Sequence, residues 1–152
     1  LRYNFAASWE IRMAYWLVKS EPDVFSWDDL VKAGKKGTPW TGVRAHPAKL
    51  NLSKMAKGDK AFFYHTGDER QIVGIVEIGK TAYPDPTAEK DSPWVVVDTI
   101  AVEPLKTPVT LAQIKADAKL KEMVLVKLGR LSVQPVTDAE WKHICKLGGV
   151  KG

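Results

Sequence analysis

The chain has 152 residues, a formal net charge of +5 at pH 7 and one cysteine. With 45% hydrophobic and 27% charged residues it is typical of one globular domain that has a core of its own, and no apolar run approaches the roughly 20 residues of a membrane helix. A single cysteine excludes an internal disulfide framework and suits a reducing cytoplasm, which is the location we expect. The basic charge is compatible with a polyanionic partner but does not require one.

Residues 1–12 differ from the rest of the chain. They show no capping, alternation or turn pattern that connects with the residues after them, and Met13 precedes the first clear strand pattern. We therefore expect a leader, a remnant of upstream translation or of cloning (1–12), and one domain (13–152). A weakly amphipathic targeting leader is the alternative for the first segment.

Periodicity and turn residues predict short strands and helices in an uneven order. The predicted elements, in chain order, are a strand 14–19, a helix 25–34, a helix 47–55, strands 60–65, 71–82 and 94–103, a short helix from 110, a helix 118–126, a strand or extended loop 131–136, and a final helix from 137. Three capping boxes support the helix starts: Ser26 with Asp29, Thr110 with Gln113, and Thr137 with Glu140. Because no βα unit repeats, we predict an α+β fold around a small curved sheet.

Two residues within the predicted strands have a specific meaning. Gly74 predicts a bulge or a close backbone approach, since a glycine inside a strand leaves space that another group can occupy. Pro104 is expected to end the long strand that begins at Trp94, because proline has no N–H to donate to the ladder.

The segment Trp40-Thr41-Gly42-Val43-Arg44 is the most informative part of the chain. It places a large flat ring, a glycine turn and a guanidinium within five residues of an irregular region. A ring and a planar cation in one loop suit a flat heterocycle beside a phosphate. The alternatives are that Trp40 is simply buried, and that Arg44 forms an ion pair with an acid such as Glu21.

Six segments, taken in order, resemble the EVE domain family, a branch of the PUA-like superfamily. They are 15–23 (YWLVKSEPD), 40–44 (WTGVR), 62–65 (FFYH), 72–75 (IVGI), 83–87 (YPDPT) and 131–136 (LSVQPV). The resemblance spans nearly everything from Met13 to Ile144 and implies a PUA-like curved sheet or barrel, flanked by short helices, with a pocket for one base. EVE domains are similar to YTH domains, which read a methylated adenine in an aromatic cage. Ala45-His46 departs from the family, which often has Asn and Tyr there.

The resemblance implies a nucleic-acid binding module that reads a single modified base of DNA or RNA. The expected pocket residues are Lys19, Ser20, Trp40, Arg44, Tyr64, His65, Ser132, Val133, Gln134 and Pro135. Gln134 can donate and accept through one amide, as a Watson–Crick edge demands, whereas a lone histidine such as His65 is more often structural. Four further cations are candidates for contacts with the nucleic-acid backbone, although each can equally be a solvated charge: Lys49, Lys54, Lys57 and Arg130.

The sequence offers little support for metal or nucleophilic chemistry. His46, His65 and His143 lie far apart along the chain, and no CxxC or HxxxH motif is present. His143 and Cys145, two residues apart on a predicted helix, do not share a face. We therefore predict a monomer that binds nucleic acid, with no cofactor, no metal, no membrane contact and no enzymatic activity. Two alternatives stay open: an enzyme acting on a nucleotide or small metabolite in the same pocket, and a protein-interaction adaptor.

Overall fold

A computed structural model describes residues 13–152, and the predicted leader of residues 1–12 lies outside the described part. The strands are β1 (Tyr15–Ser20), β2 (Thr38–Pro39), β3 (Lys60–His65), β4 (Gln71–Pro84), β5 (Val95–Thr110) and β6 (Val133–Val136). The α-helices are α1 (Trp27–Ala33), α2 (His46–Lys54), α3 (Leu111–Ala116), α4 (Val124–Lys127) and α5 (Asp138–Gly148). None of these helices is long and apolar enough to cross a membrane.

The six described strands form one mixed sheet in the order β2-β5-β4-β3-β1-β6. β1 and β3 run parallel, and the other neighbouring pairs are antiparallel. The predicted α+β class is confirmed. The sheet is open, because among the described residues its two outer strands, β2 and β6, do not pair with each other, so the implied barrel is not closed.

Two hydrophobic clusters form the core, one on each face of the sheet. Alternation along β1 and β3 sends Val18 and Phe63 to the first cluster, and Leu17 and Phe62 to the second. α1 and α2 cover the first cluster, whereas α3 and α5 cover the second. Neighbouring residues of one strand therefore belong to opposite faces, which decides how the site is built.

The three predicted capping boxes are confirmed at the starts of α1, α3 and α5. In each, a hydroxyl accepts from the backbone N–H three residues later, and the side chain of that residue accepts from the cap N–H; at α1 the backbone N–H of Asp29 donates to the Ser26 hydroxyl over 3.1 Å. Reciprocal satisfaction of end groups is local chemistry, which explains why the sequence predicts it.

Two predicted boundaries are wrong. β5 does not end before Pro104 but continues to Thr110, because β2 covers only the part of β5 around Asp98 and Thr99. Beyond that point β5 pairs, within the described chain, with β4 alone. Proline is tolerated on such an edge, because no second partner strand needs its missing N–H. The predicted helix 118–126 is instead a 3₁₀ turn at Ala118–Leu120 followed by the short α4.

Gly74 is a close-approach point, as predicted. A Cβ at this buried position would lie 2.5 Å from the Trp27 ring, and the register of β4 against β5 shifts beside it. We expect Gly74→Ala to lower the free energy of unfolding by about 1–3 kcal/mol, since the indole ring is rigid and cannot yield. Urea unfolding at pH 7 measures this change.

Gly79→Ala, on the same strand, is the matched control. Its new Cβ would meet the end of the Ile100 side chain at 2.7 Å, and a flexible methyl group can rotate away. A loss of stability equal to or larger than that of Gly74→Ala would contradict the role of the Trp27 contact.

Candidate nucleic-acid interface

The parallel pairing of β1 with β3 brings the predicted pocket residues to one edge of the sheet. Lys19 lies opposite Tyr64, and Ser20 lies opposite His65. The backbone N–H of Lys19 donates to the carbonyl of Ser132 over 3.0 Å, which adds the start of β6 to the same edge. Five residues from three distant segments of the chain are therefore neighbours at the carboxyl ends of β1 and β3.

Strand alternation separates this group into two faces. Tyr64 belongs to the second core cluster, and the Lys19 Nζ lies 5.6 Å from its ring centroid. Ser20 and His65 point to the opposite face, where the Ser20 hydroxyl donates to the carbonyl of Phe25. The structure thus does not place Tyr64 and His65 in a single pocket.

His65 is held by hydrogen bonds at both ring nitrogens. Its Nε2 accepts from the backbone N–H of Trp27 over 3.0 Å, so the proton of the neutral ring sits on Nδ1, 2.9 Å from a Glu69 carboxylate oxygen. The hydrogen bond from His65 holds the pKa of Glu69 below its usual value. His65 is 7% exposed and its ring accepts from the first residue of α1. It therefore has a structural role, which was the alternative to a role in the pocket.

A cleft of about 440 Å³ opens between the end of β1 and the segment that contains β2. Three of the residues that line it are expected from the sequence, namely Lys19, Ser20 and Trp40. Three more lining residues stand within the motifs 15–23 and 40–44 but were not expected in the pocket, namely Glu21, Thr41 and Gly42. The sequence patterns missed Val24, Phe25, Thr38 and Pro39, which adjoin those two motifs, so extending each motif by a few positions would have found them.

Trp40 is mainly a core residue with a small part of its surface left at the cleft. It is 7% exposed and makes edge-to-face contacts with Phe63 and Phe25, at centroid distances of 5.4 and 6.2 Å. The backbone N–H of Trp40 donates to the Val97 carbonyl over 2.8 Å. Most of the Trp40 ring is therefore buried in the core, as the alternative interpretation of the sequence expects.

Asp85 holds the loop that follows Trp40. Its carboxylate has no exposed surface and accepts from the Gly42 N–H over 3.0 Å, from the Arg44 guanidinium over 2.9 Å and from the Thr87 N–H over 2.7 Å. Burial alone would raise the pKa of Asp85, but the hydrogen bonds from Thr87, Arg44 and Gly42 outweigh it and hold the pKa well below the usual range.

Arg44 therefore has a structural partner, although that partner is Asp85 and not Glu21. Its side chain remains 39% exposed and also donates to the Thr87 hydroxyl over 3.2 Å. The signal for Asp85 was the Asp-Pro-Thr spacing, in which an aspartate accepts from the N–H two residues later.

The expected pocket residues 132–135, predicted as part of a strand or extended loop, lie mostly in β6. Val133 and Gln134 have no exposed surface. The Gln134 amide donates to the Leu131 carbonyl over 2.8 Å, and its buried oxygen has no partner in the described chain. The Gln134 amide therefore faces the protein interior and not a ligand. Pro135 is exposed, and Ser132 is half-buried beside Lys19.

The predicted backbone-contact cations are divided between the two ends of α2. Arg130 is exposed and follows Gly129, whose carbonyl accepts from the Lys19 Nζ, so it lies near the cleft edge. Lys49 is partly buried on the first half of α2. Lys54 and Lys57 are exposed before the start of β3, at the end of the sheet opposite His65.

The geometry of Cys145 argues against a reactive thiolate. It is buried beside Trp141 and Ile144 in the second cluster. Burial, and then the negative charge of Glu103, raise the pKa of Cys145 to about 11, so the group is a neutral thiol at pH 7. Within residues 13–152, no three His, Cys, Asp or Glu side chains lie together in a group that could hold a metal ion.

Comparison with known proteins agrees with this architecture. Human thymocyte nuclear protein 1 is 35% identical over 165 residues, covering 88% of this chain and 73% of the human protein. A solved structure from Rhodopseudomonas palustris is 57% identical with a TM-score of 0.85, over 90% of this chain and 94% of that one. A YTH domain of Zygosaccharomyces rouxii superposes with a TM-score of 0.57 at 13% identity, which shows a shared fold.

One solved relative was crystallised with nucleic acid. Human THYN1, in complex with DNA that contains 5-methylcytosine, is 34% identical to this chain with a TM-score of 0.83, over 91% of this chain and 99% of that one. The EVE domain model matches residues 14–147. On this match and on these relatives, the chain belongs to the EVE domain family.

Proposed function

We propose that this protein is a non-enzymatic module that reads a single modified base of DNA or RNA. The observation that supports the proposal is the cleft of about 440 Å³ between the end of β1 and the segment around Trp40. Its volume falls in the range of roughly 300–1,000 Å³ that is typical of small-molecule sites. The complex of human THYN1 with 5-methylcytosine DNA makes a base the first ligand to test.

The chemistry of the cleft suits a planar ring with polar edges. Phe25, Pro39 and the exposed part of Trp40 supply apolar surface, on which a base and an added methyl group can pack. Glu21 supplies carboxylate oxygens, which accept from an exocyclic amino group such as that of cytosine. The Ser20 hydroxyl proton is already donated to Phe25, so toward a ligand this oxygen acts as an acceptor.

A base must leave its stack to enter such a cleft. Extrusion from a duplex costs a few kcal/mol, so an unpaired strand binds at a lower cost than a duplex does. We place one of the two adjacent phosphates near Arg130, whose neighbour Gly129 accepts from Lys19 at the end of β1. Contacts of Lys54 and Lys57 with a longer strand stay a prediction, since both lie at the other end of α2.

The experiment compares short single strands of DNA and RNA that carry one central 5-methylcytosine, cytosine, N6-methyladenine or adenine, titrated at several salt concentrations. We expect a preference for a modified strand at every salt concentration. Trp40→Phe is expected to reduce that preference by about 1 kcal/mol, at the lower end of the range for base stacking because part of the aromatic surface remains. Its salt dependence should match that of the parent, since no charge changes.

Arg130→Gln is the complementary variant. It should weaken binding to all strands alike and reduce the slope of log K against log salt by about 0.7, the value for one lost phosphate contact on a single strand. Equal affinity of the parent protein for modified and unmodified strands would contradict the proposed function, whatever the variants do.

A further inference from the structure

A second cleft lies beside the base cleft, on the opposite face of the sheet edge. It measures about 250 Å³, and its lining includes Lys19, Tyr64, Arg70 and Lys115. Lys19 also borders the base cleft, so the two clefts meet at the end of β1. A space of 250 Å³ is below the range of whole-ligand pockets and fits a group smaller than a nucleoside.

Three cations at this second cleft have no carboxylate partner. Among the described residues, no salt bridge involves Lys19, Arg70 or Lys115. The Lys19 Nζ donates to the Gly129 carbonyl and retains two further donors. Burial lowers the pKa of Lys19, which is the cost that a nearby anion would offset.

Tyr64 connects these cations. Its ring lies beneath the Lys19 Nζ. Arg70 lines the same cleft as Tyr64; burial raises the pKa of Tyr64, and the positive charge of Arg70 opposes that rise. Within residues 13–152 this hydroxyl makes no hydrogen bond to another side chain, and it remains available as a donor to an anion.

Among the described residues, the acids near the second cleft form no salt bridge with its cations. Glu21 accepts from the Thr66 hydroxyl and from the Asp23 N–H, and Glu69 is hydrogen-bonded to His65. Asp68 and Glu69 line an adjoining cleft that shares Arg70 and Lys115 with this one, but within residues 13–152 neither acid forms a salt bridge with those cations. The positive charge of Lys19, Arg70 and Lys115 is therefore not neutralised by direct pairing.

We propose that this second cleft binds the phosphodiester next to the recognised base, with Arg70, Lys115, Lys19 and the Tyr64 hydroxyl as its donors. The inference rests on the proposed function, because the phosphate belongs to the strand whose base enters the first cleft. Arg70 supplies a planar pair of donors that suits phosphate oxygens, and the two lysines act as point charges. The base cleft gives the preference for a modification, and this cleft holds the strand in register.

The test uses the full chain and the double variant Arg70→Gln/Lys115→Gln. The matched control is Lys106→Gln/Lys146→Gln, which removes two exposed lysines near the end of α5, where Gly148 packs against Leu105. Neither lysine is among the residues that line the second cleft or the base cleft, so the control removes the same charge outside both clefts. Both variants have the same net charge.

We expect the parent to bind 5-methyldeoxycytidine monophosphate at least fivefold more tightly than 5-methyldeoxycytidine at low salt. In Arg70→Gln/Lys115→Gln this ratio should fall below twofold, while the control keeps it. On a modified pentanucleotide the salt slope should decrease by about 0.7, the value for one lost phosphate contact on a single strand. The ratio between modified and unmodified strands should stay that of the parent.

Two outcomes would overturn the inference while leaving the proposed function standing. One is a salt slope and a monophosphate ratio equal to those of the control. The other is a loss of modified-base preference in the double variant, which would place the cations in the base cleft. If thermal melting shows the double variant to be unstable, the same criteria apply to Arg70→Gln and Lys115→Gln separately. For Tyr64→Phe, which removes no charge, the monophosphate ratio alone is the criterion. A parent that does not prefer modified strands refutes the proposed function itself.

Discussion

Trp40→Ala is expected to lower the free energy of unfolding by about 3–5 kcal/mol, the cost of removing a large aromatic side chain from a packed core. The ring is 7% exposed and packs edge-on against Phe63 and Phe25, so alanine leaves a cavity between the sheet and the loop that follows α1. Urea unfolding at pH 7 measures the loss. Because so large a change can unfold part of the protein, the recognition experiment uses Trp40→Phe.

Trp94→Ala is the matched control for this prediction. Trp94 is only partly buried, and its aromatic neighbour is His46, at a centroid distance of 4.9 Å. We expect a loss of about 1 kcal/mol, in the range of a single aromatic pair. If Trp40→Ala costs no more than Trp94→Ala, then Trp40 is a surface residue in solution and its assignment to the core is wrong.

Asp85→Asn is expected to lower the free energy of unfolding by about 2–3 kcal/mol at pH 7, since it replaces charge-assisted hydrogen bonds to Arg44, Gly42 and Thr87 with neutral ones. The loop from Gly42 to Arg44 should then be less well fixed. Preference for a modified base should decrease together with stability, because Gly42 lines the base cleft.

The pH dependence isolates the charge of Asp85. Its pKa is depressed in the folded state, so its contribution is fully present above the unfolded pKa of about 3.9 and is lost as the pH falls toward the folded value. The stability difference between parent and Asp85→Asn should be constant from about pH 5 to pH 8, because Asp85 is ionised in both the folded and the unfolded protein in this range. The difference should shrink below about pH 4, where Asp85 of the unfolded protein takes up a proton. Other acids with depressed pKa values, such as Asp29 and Asp117, titrate in both proteins and cancel.

Glu122→Gln is the control for an ion pair in solvent. Glu122 pairs with Lys127, and both side chains are more than half exposed. We expect Glu122→Gln to change the free energy of unfolding by at most about 1 kcal/mol.

A stability difference between parent and Asp85→Asn that does not change between pH 7 and pH 3 would contradict the prediction for Asp85. It would show that the carboxylate charge does not stabilise the loop from Gly42 to Arg44.

Local chemistry determined the parts of the fold that the sequence predicted well. Each capping box satisfies its own end groups within four residues, so Ser26, Thr110 and Thr137 could be assigned without knowledge of the tertiary structure. The close approach at Gly74 was predictable for a similar reason: a missing side chain inside a strand leaves room for a neighbour, although only the structure identifies that neighbour as Trp27. The strand beyond Pro104 was not predictable, because tolerance of proline depends on whether a partner strand needs its N–H.

The candidate site was likewise predictable only in part. The sequence by itself determined which short segments carry the chemistry, since rings, cations and glycines in one loop restrict what that loop can do. Only the tertiary structure decided which side chains share a cleft, because the parallel pairing of β1 and β3 joins Lys19 to Tyr64 while alternation sends Ser20 and His65 to the other face. It also decided that Arg44 is paired with Asp85, that Gln134 is buried, and that Arg70 lines the same cleft as Tyr64. Contacts between residues tens of positions apart depend on strand order and register, which no single segment encodes.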